Sequence, residues 1–396
     1  MDTAAELRRR FGGLGRAFWS LQVGLFLNRS GQFVQPLLTF WLTGVHQLSV
    51  SAAGAVVATY GLGSMCGTAL GGVIADRHGR RITLLASSLG AAGALVALSR
   101  APNVPAIVAG AFVLALTYDL HRPAIHAMVA DLVAPADRVR AYSLTYVTIN
   151  LGFAVAPALA GAIAGHGYRG VFLSAAVIQL GWALYVWRRV PESRPEPTSD
   201  EPTGSVRDVL RDRTYVAWLV AMAFAALVPH QGFVALSAWM KSEGFTPAEF
   251  GKVIGLNGVL IVVLQPWVAP WISRRDPIHM FIASCLLQGV GFSLHGLGLG
   301  LPGHAVAVTV WTLGEIASAP VTSAVVATLA PVELRARYQG LLGVSFSAAS
   351  LLGPLVGGVV VDHFGGWLWV ACLAVGVASA GWMFRLGPAL RARMAA

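Results

Sequence analysis

The sequence predicts an all-α membrane protein of twelve transmembrane helices in two pseudo-symmetric six-helix bundles, and three observations carry that expectation. Of its 396 residues, 56% are hydrophobic and only 12% charged, with a mean hydropathy of +0.67, whereas soluble domains carry about 25% charged residues. Twelve apolar runs recur along the chain, each close to the ~20 residues that cross ~30 Å of hydrocarbon. The two halves also resemble each other at an offset close to 197 residues, an internal repeat.

The runs lie at 17–44, 50–75, 82–99, 104–131, 141–165, 169–190, 214–240, 248–273, 278–298, 304–329, 338–362 and 367–387. The basic head Arg8-Arg9-Arg10 leads into a full-length run rather than a short apolar core with a small-residue cleavage site, so no cleaved signal is expected. A net charge of +10 could suggest nucleic acid, but the arginines gather at alternate ends of successive runs. Arg77 to Arg81, Arg138 and Arg140, Arg188 to Arg213, Arg274 and Arg275, Arg335 and Arg337, and Arg385 to Arg393 all fall on the side of Arg8 to Arg10. By the positive-inside rule that side, with both termini, is cytoplasmic, and no nucleic-acid partner is expected.

The one long polar stretch, from Pro191 to Arg213, cannot bury a core. It divides the chain into an N-terminal bundle at 1–190, a cytoplasmic linker at 191–213 and a C-terminal bundle at 214–396. The repeat pairs Gly54 with Gly251, Gly61 with Gly258, Arg77 with Arg274, Pro123 with Pro320, Arg140 with Arg337, Pro157 with Pro354, Gly161 with Gly358 and His166 with His363. One offset thus serves the chain from its second run to its eleventh.

Between the second and third runs stands Gly72-Val73-Ile74-Ala75-Asp76-Arg77-His78-Gly79-Arg80-Arg81. Gly72 would let two helices approach closely, Gly79 would permit the tight turn, and Asp76 could accept hydrogen bonds at a neighbouring helix N-terminus. The segment resembles motif A of the major facilitator superfamily. That resemblance implies parallel halves with a substrate site near the membrane midplane. It also implies a charge cluster of Asp76, Arg80 and Asp131, the acid ending the fourth run, that latches the halves in the outward-facing state. The second-half counterpart keeps Arg274 and Arg275 but has Ser273 where the acid would fall. In the fifth run Asn150-Leu151-Gly152, Pro157 and Gly161 resemble motif C of the drug/proton antiporter branch, with Ala156 in place of the glycine before the proline. Gly353-Pro354 with Gly357-Gly358 repeats it more faithfully. Close helix packing is the plain alternative for both. Within the superfamily the look is of MdtH-type multidrug exporters, through Glu315 and the Pro320 that follows.

Ionisable groups inside a membrane cost about 2.5–3.5 kcal/mol at a helix centre and are functional candidates by default. Here they are Arg29, Asp119, Arg122, His230 and Glu315, in runs one, four, seven and ten. These are the runs that line the central cavity in the superfamily. Asp119 lies four residues before Pro123 and Glu315 five before Pro320, one acid per half, which suits proton coupling by alternating access. Asp119 and Arg122 are three apart and can face each other, so a permanent pair is the competing account of that acid. Arg29 stays charged and needs a counter-ion or an anionic ligand group. With Asn28, Gln32, Tyr118, Arg122 and His230 it makes the expected substrate-cavity set.

Cys66, Cys285 and Cys372 are scattered within runs and read as core residues, and no His/Cys/Asp/Glu spacing suggests a metal. No phosphate-binding loop of the G-x-x-x-x-G-K-[ST] form occurs, so ATP-driven transport is not expected, and no cofactor is. The leading expectation is a monomeric, proton-coupled exporter of small amphipathic molecules in a bacterial cytoplasmic membrane, whose partners are substrate, protons and lipid. Proton-linked uptake or uniport of a small organic anion is the alternative on the same fold. A membrane sensor or enzyme is a third reading, but no nucleophile–base pair supports it.

Overall fold

The computed structural model describes residues 13–134, 137–165, 167–194, 206–272, 274–331 and 334–395. Arg8 to Arg10, His166, Ser273 and residues 195–205 of the expected linker lie outside them. The described residues form sixteen α-helices and no strand. The first eight are α1 Gly15–Ser30, α2 Val34–Gly44, α3 Val50–His78, α4 Arg80–Leu98, α5 Val104–Asp119, α6 His121–Leu132, α7 Arg138–Ala164 and α8 Tyr168–Arg189. The rest are α9 Val206–Leu210, α10 Arg213–Ala226, α11 Ala235–Ser242, α12 Pro247–Ile272, α13 Pro277–Leu294, α14 Gly300–Leu329, α15 Arg335–Phe364 and α16 Trp367–Ala395. Among the described residues ten spans are long and apolar enough to cross a membrane. The other two expected spans are the first, broken between α1 and α2, and α14, which is 30 residues long but not among the ten.

Helix starts follow local chemistry. The side chain of Asn103 accepts from the backbone N–H of Ala106 at 3.0 Å, that of Asp212 from Tyr215 at 3.1 Å and that of Asp276 from Ile278 at 2.7 Å, each capping the helix that follows. Pro105 and Pro277 stand in first turns, where a missing N–H costs nothing.

Three expected spans are interrupted, and each interruption sits beside a proline. Pro36 falls in the first turn of α2, just after the break at Gly31–Phe33. Pro123 cannot donate to the carbonyl of Asp119, so the fourth span bends at Leu120 between α5 and α6. Pro229 opens a 3-10 turn, Pro229–Gly232, between α10 and α11. The breaks therefore place Arg29, Asp119, Arg122 and His230 at or beside irregular backbone, where polar groups can be met by freed peptide groups.

The chain clusters into two compact units, Met1–Gln35 with Thr59–Pro197 and Pro36–Ala58 with Thr198–Ala396. Residues 36–58, which the sequence assigns to the N-terminal bundle, belong to the second unit, and α3 runs from one unit into the other. In the first unit, Phe18, Leu21 and Leu25 of α1, Met128 and Val129 of α6, and Trp182 and Val186 of α8 share one buried core. In the second, the Asp362 carboxylate of α15 accepts from the backbone N–H groups of Val50 at 3.1 Å and Ser51 at 2.6 Å, satisfying the start of α3. The three cysteines are unpaired, with Cys285 and Cys372 buried.

Candidate functional site

The polar centre of the first unit is built on the two broken spans. Arg122 Nε meets Asp119 Oδ1 at 2.6 Å, and Ser64 of α3 donates its hydroxyl to the other carboxylate oxygen. The Asp119 side chain is 5% exposed and that of Arg122 48%, so the acid is enclosed while the guanidinium reaches outward. Arg29 donates from Nη1 to Gln32 Oε1 at 2.7 Å, and Gln32 in turn donates to Asn28 Oδ1 at 3.0 Å. Asn28 continues the chain to Gln179 of α8 at 3.3 Å. Arg29 lies in the electrostatic field of both Arg122 and Asp119, but among the described residues it forms no ion pair, and its Nε is buried without a hydrogen-bond partner.

Two expected cavity residues are closed off instead. Asn28 is 0% and Tyr118 1% exposed, because Asn28 is used by Gln179 and Tyr118 donates its hydroxyl to the Gly31 carbonyl freed at the α1–α2 break, at 3.1 Å. Both are thus buried against neighbouring helix groups. Gly152 explains the motif C resemblance in this chain: a Cβ there would collide with the Cβ and backbone of Arg29, so the glycine lets α7 lie directly against the arginine.

In the second unit, Glu315 Oε2 accepts from Asn257 Nδ2 of α12 at 2.9 Å, and the same amide lies 3.1 Å from Thr312 Oγ1. The neighbouring Gly314 lets α14 pack on α13, since a Cβ would press on Ser284 O and Gln288. His230 holds the Ala226 carbonyl through Nδ1 at 2.7 Å, and Gln231 donates to Leu227 O and to Gly353 O at 2.9 and 3.2 Å. The glycines of Gly353-Pro354-x-x-Gly357 again make room, here for His230 and Gln231. In both units the motif C-like row thus seats the broken helix that carries the polar residues.

The motif A segment assembles as a charge cluster with an unexpected member. Arg80 Nη1 meets Asp76 at 2.6 Å, and its Nε lies 3.6 Å from Asp131, so one arginine joins both acids. Asp76, however, does not cap a helix: its side chain is 73% exposed and is taken by Arg80. The start of α4 is capped by Glu192, which accepts from the N–H groups of Arg80 at 2.8 Å and Arg81 at 3.1 Å. Gly79 has φ +109°, and a side chain there would collide with the Glu192 carboxylate. Ser193 donates to Asp131 at 3.0 Å and Arg194 to the Arg77 carbonyl at 2.9 Å, so the first residues of the expected linker are stitched onto the motif. Gly72 also departs from expectation, since a Cβ there would meet nothing within 4 Å. The close approach belongs to Gly63, Gly67 and Gly71, one turn apart, where a Cβ would strike the backbone of Phe112, Leu116 and Leu120.

The family model for the Major Facilitator Superfamily matches residues 19–317 and 233–393. The chain belongs to the major facilitator superfamily. Its relatives include a Na(+), Li(+), K(+)/H(+) antiporter of Planococcus maritimus, 24% identical over 91% of this chain and 94% of that one. The multidrug resistance protein MdtH of Klebsiella pneumoniae (strain 342) is 23% identical over 79% of this chain and 76% of that one. A crystal structure of a POT family transporter in complex with a thioalcohol-conjugated peptide superposes with a TM-score of 0.82 over 96% of this chain and 97% of that one, at 16% identity, which shows the fold alone. As a superfamily member the chain is an integral membrane secondary transporter.

Sequence reasoning missed Asn257, Ser64, Gln179 and Glu192. The repeat held a signal for the first: Asn257 sits at the offset of Tyr60, and Tyr60 feels the charge of Asp119 as Asn257 meets Glu315. Glu192 carried none, because an acid in a polar stretch looks like any solvated residue.

Proposed function

We propose that this transporter is a proton-coupled exporter of small amphipathic molecules, with Glu315 as the group that takes up and releases the proton. The observation that carries the reading is the contrast between its two membrane acids. Asp119 is neutralised by Arg122 at 2.6 Å, whereas Glu315 faces the neutral amide of Asn257 at 2.9 Å and no cation among the described residues. A carboxylate bound to arginine loses a strong charge-assisted contact when it takes a proton; one held by a neutral amide loses far less. Asp119 then serves as the counter-charge that holds Arg122, and Arg29, Gln32, Arg122 and His230 offer polar contacts to substrate. Asp76, Arg80 and Asp131, joined through one arginine, act as the conformational latch. Antiporter and multidrug-resistance names among the relatives support exchange and export, and the arginine bias supports cytoplasmic termini and a bacterial cytoplasmic membrane. The working unit is a monomer.

A second reading has its own observation. Arg29, Arg122 and Asp119 together carry one more cation than anion, and among the described residues the side-chain partner of Arg29 is the neutral Gln32. That surplus favours an anionic group on the substrate, as uptake or uniport of a small organic anion would require.

Purified protein in liposomes with an imposed pH gradient separates them, with internal pH followed on adding cationic, neutral and anionic amphiphiles. Export coupled to protons requires that Glu315→Gln abolish substrate-driven proton movement while Asp119→Asn weakens it through loss of the Arg122 partner. Gradient-independent flux of anions alone, unchanged in Glu315→Gln, would sink the first reading and favour the second.

A further inference from the structure

A buried histidine relay at one end of the second unit belongs to neither acid described above. Glu243 directly follows α11, His295 opens the 3-10 turn His295–Leu297 after α13, and His304 lies in the opening turns of α14. His295 Nδ1 and His304 Nδ1 are 2.8 Å apart, and His304 Nε2 is 2.7 Å from Glu243 Oε2. His295 is 1% and His304 3% exposed, while the Glu243 side chain keeps 21%. The far nitrogen, His295 Nε2, is buried without a hydrogen-bond partner among the described residues. Aromatic rings pack on the pair, Phe292 of α13 and Trp369 of α16 against His295 and Phe245 against His304, and Trp239 of α11 donates from Nε1 to His295 O at 3.2 Å. Of the charged groups nearby in sequence, Lys241 is turned to Thr43 Oγ1 at 3.0 Å and Glu249 is held by Thr246 at 2.8 Å. This leaves Glu243 as the counter-charge.

The geometry fixes the protons. Two nitrogens at 2.8 Å share one hydrogen, and the carboxylate end needs a donor, so His304 carries Nε2–H. With both rings neutral, His304 Nδ1 is then an acceptor, His295 donates from Nδ1, and His295 Nε2 holds an idle lone pair. One added proton has a place without breaking either bond. It forms an N–H bond at His295 Nε2, the Nδ1–H of His295 passes to His304 Nδ1, and the charge comes to rest on His304 against Glu243. Run in reverse, the same hops release the proton.

We propose that Glu243, His304 and His295 form a proton-binding site at the outer end of the second unit, which takes its proton at His295 Nε2 and holds the charge on His304 against Glu243. Its outward position rests on the topology proposed above. His304 and Glu315 are eleven residues apart on α14, close to three full turns, so they share a helix face about 16 Å apart. Between them Ala307 and Val308 are fully buried and apolar, which makes the relay a separate station rather than one end of a continuous wire.

The test uses full-length protein in lipid nanodiscs, with histidine-selective nitrogen NMR over external pH and signals assigned by subtraction in His295→Gln and His304→Gln. The relay requires His295 and His304 to change together in a single step, and Glu243→Gln to weaken proton affinity by about tenfold or more by removing the counter-charge. Glu243→Gln keeps the acceptor oxygen and the fold, checked by an unchanged, monodisperse elution profile. Rings that stay neutral throughout pH 5–9, or a step indifferent to Glu243→Gln, would overturn the site. The titration is read without transport, so it stands or falls apart from the exporter reading, which Glu315→Gln tests. In proteoliposomes the same Glu243→Gln variant should flatten the dependence of flux on external pH and leave its dependence on internal pH intact.

Discussion

A cation held by amides is the residue-scale feature on which the first unit turns. Arg29 was visible in the sequence as a charge in an apolar run, but its neighbour across the helices was not, because a glycine in a membrane helix is too common to announce a partner. In the structure Gly152 allows α7 to lie on Arg29, and a Cβ would press on the arginine's own Cβ and backbone. Gly152→Ala is therefore expected to cost about 1–3 kcal/mol of stability through overpacking and to displace Arg29 from Gln32. Thermal unfolding of the purified variant and its flux of anionic and cationic substrates check this. A fully stable variant with unchanged flux would mean that α7 can withdraw freely, and that the glycine does not position the arginine.

At the scale of elements, the apolar runs marked where helices form, ten of them among the described residues long and apolar enough to cross a membrane, and the prolines marked where three expected spans break, but neither showed which glycines hold two helices together. Spacing carries a readable clue: Gly63, Gly67 and Gly71 recur at one-turn intervals on α3, while Gly72 lies off that row. A row of small residues at this spacing lets backbones approach within a membrane, where packing replaces the hydrophobic drive. Gly71→Ala should thus lower thermal stability, because its Cβ has no space beside Leu120. Gly72→Ala should be neutral or add about 0.4–1 kcal/mol by restricting the unfolded chain. Unfolding midpoints of the two variants in one detergent give the comparison, and equal losses would show that α3 packs along both rows. The capping of α4 by Glu192 could not be read this way. A carboxylate distant in sequence reaches a helix start only after the chain has turned back on itself, and no local pattern encodes that return.

Across the whole molecule, the repeat predicts paired units, and Tyr60 and Asn257 stand at its offset. Chemistry at the helix ends is not paired in that way, and it bears on how a proton-coupled protein keeps its frame while its interior changes charge. Asp212 accepts from Tyr215 N and from the Tyr338 hydroxyl of α15 at 2.6 Å, and it meets Arg393 of α16. Asp276 accepts from Ile278 N and meets Arg391 Nε at 2.6 Å. Burial pushes both carboxyls up, but hydrogen bonds led by Arg393 and Arg391 outweigh it and hold both below the usual carboxylate range. A folded value below the unfolded one means that the unfolded chain binds more protons. The stabilisation is therefore complete above the unfolded value, about 3.9, and is lost as pH falls through the lower folded value. Between pH 8 and 5 these two acids should leave the unfolding midpoint unchanged, so any response there comes from other groups. Asp212→Asn should lower the midpoint at pH 7 and converge on the wild type only as pH falls below the lowered folded value of Asp212. A deficit that stays constant down to that acidity would mean that Asp212 acts through shape and hydrogen bonding rather than charge, and that the helix ends are held together by neutral contacts.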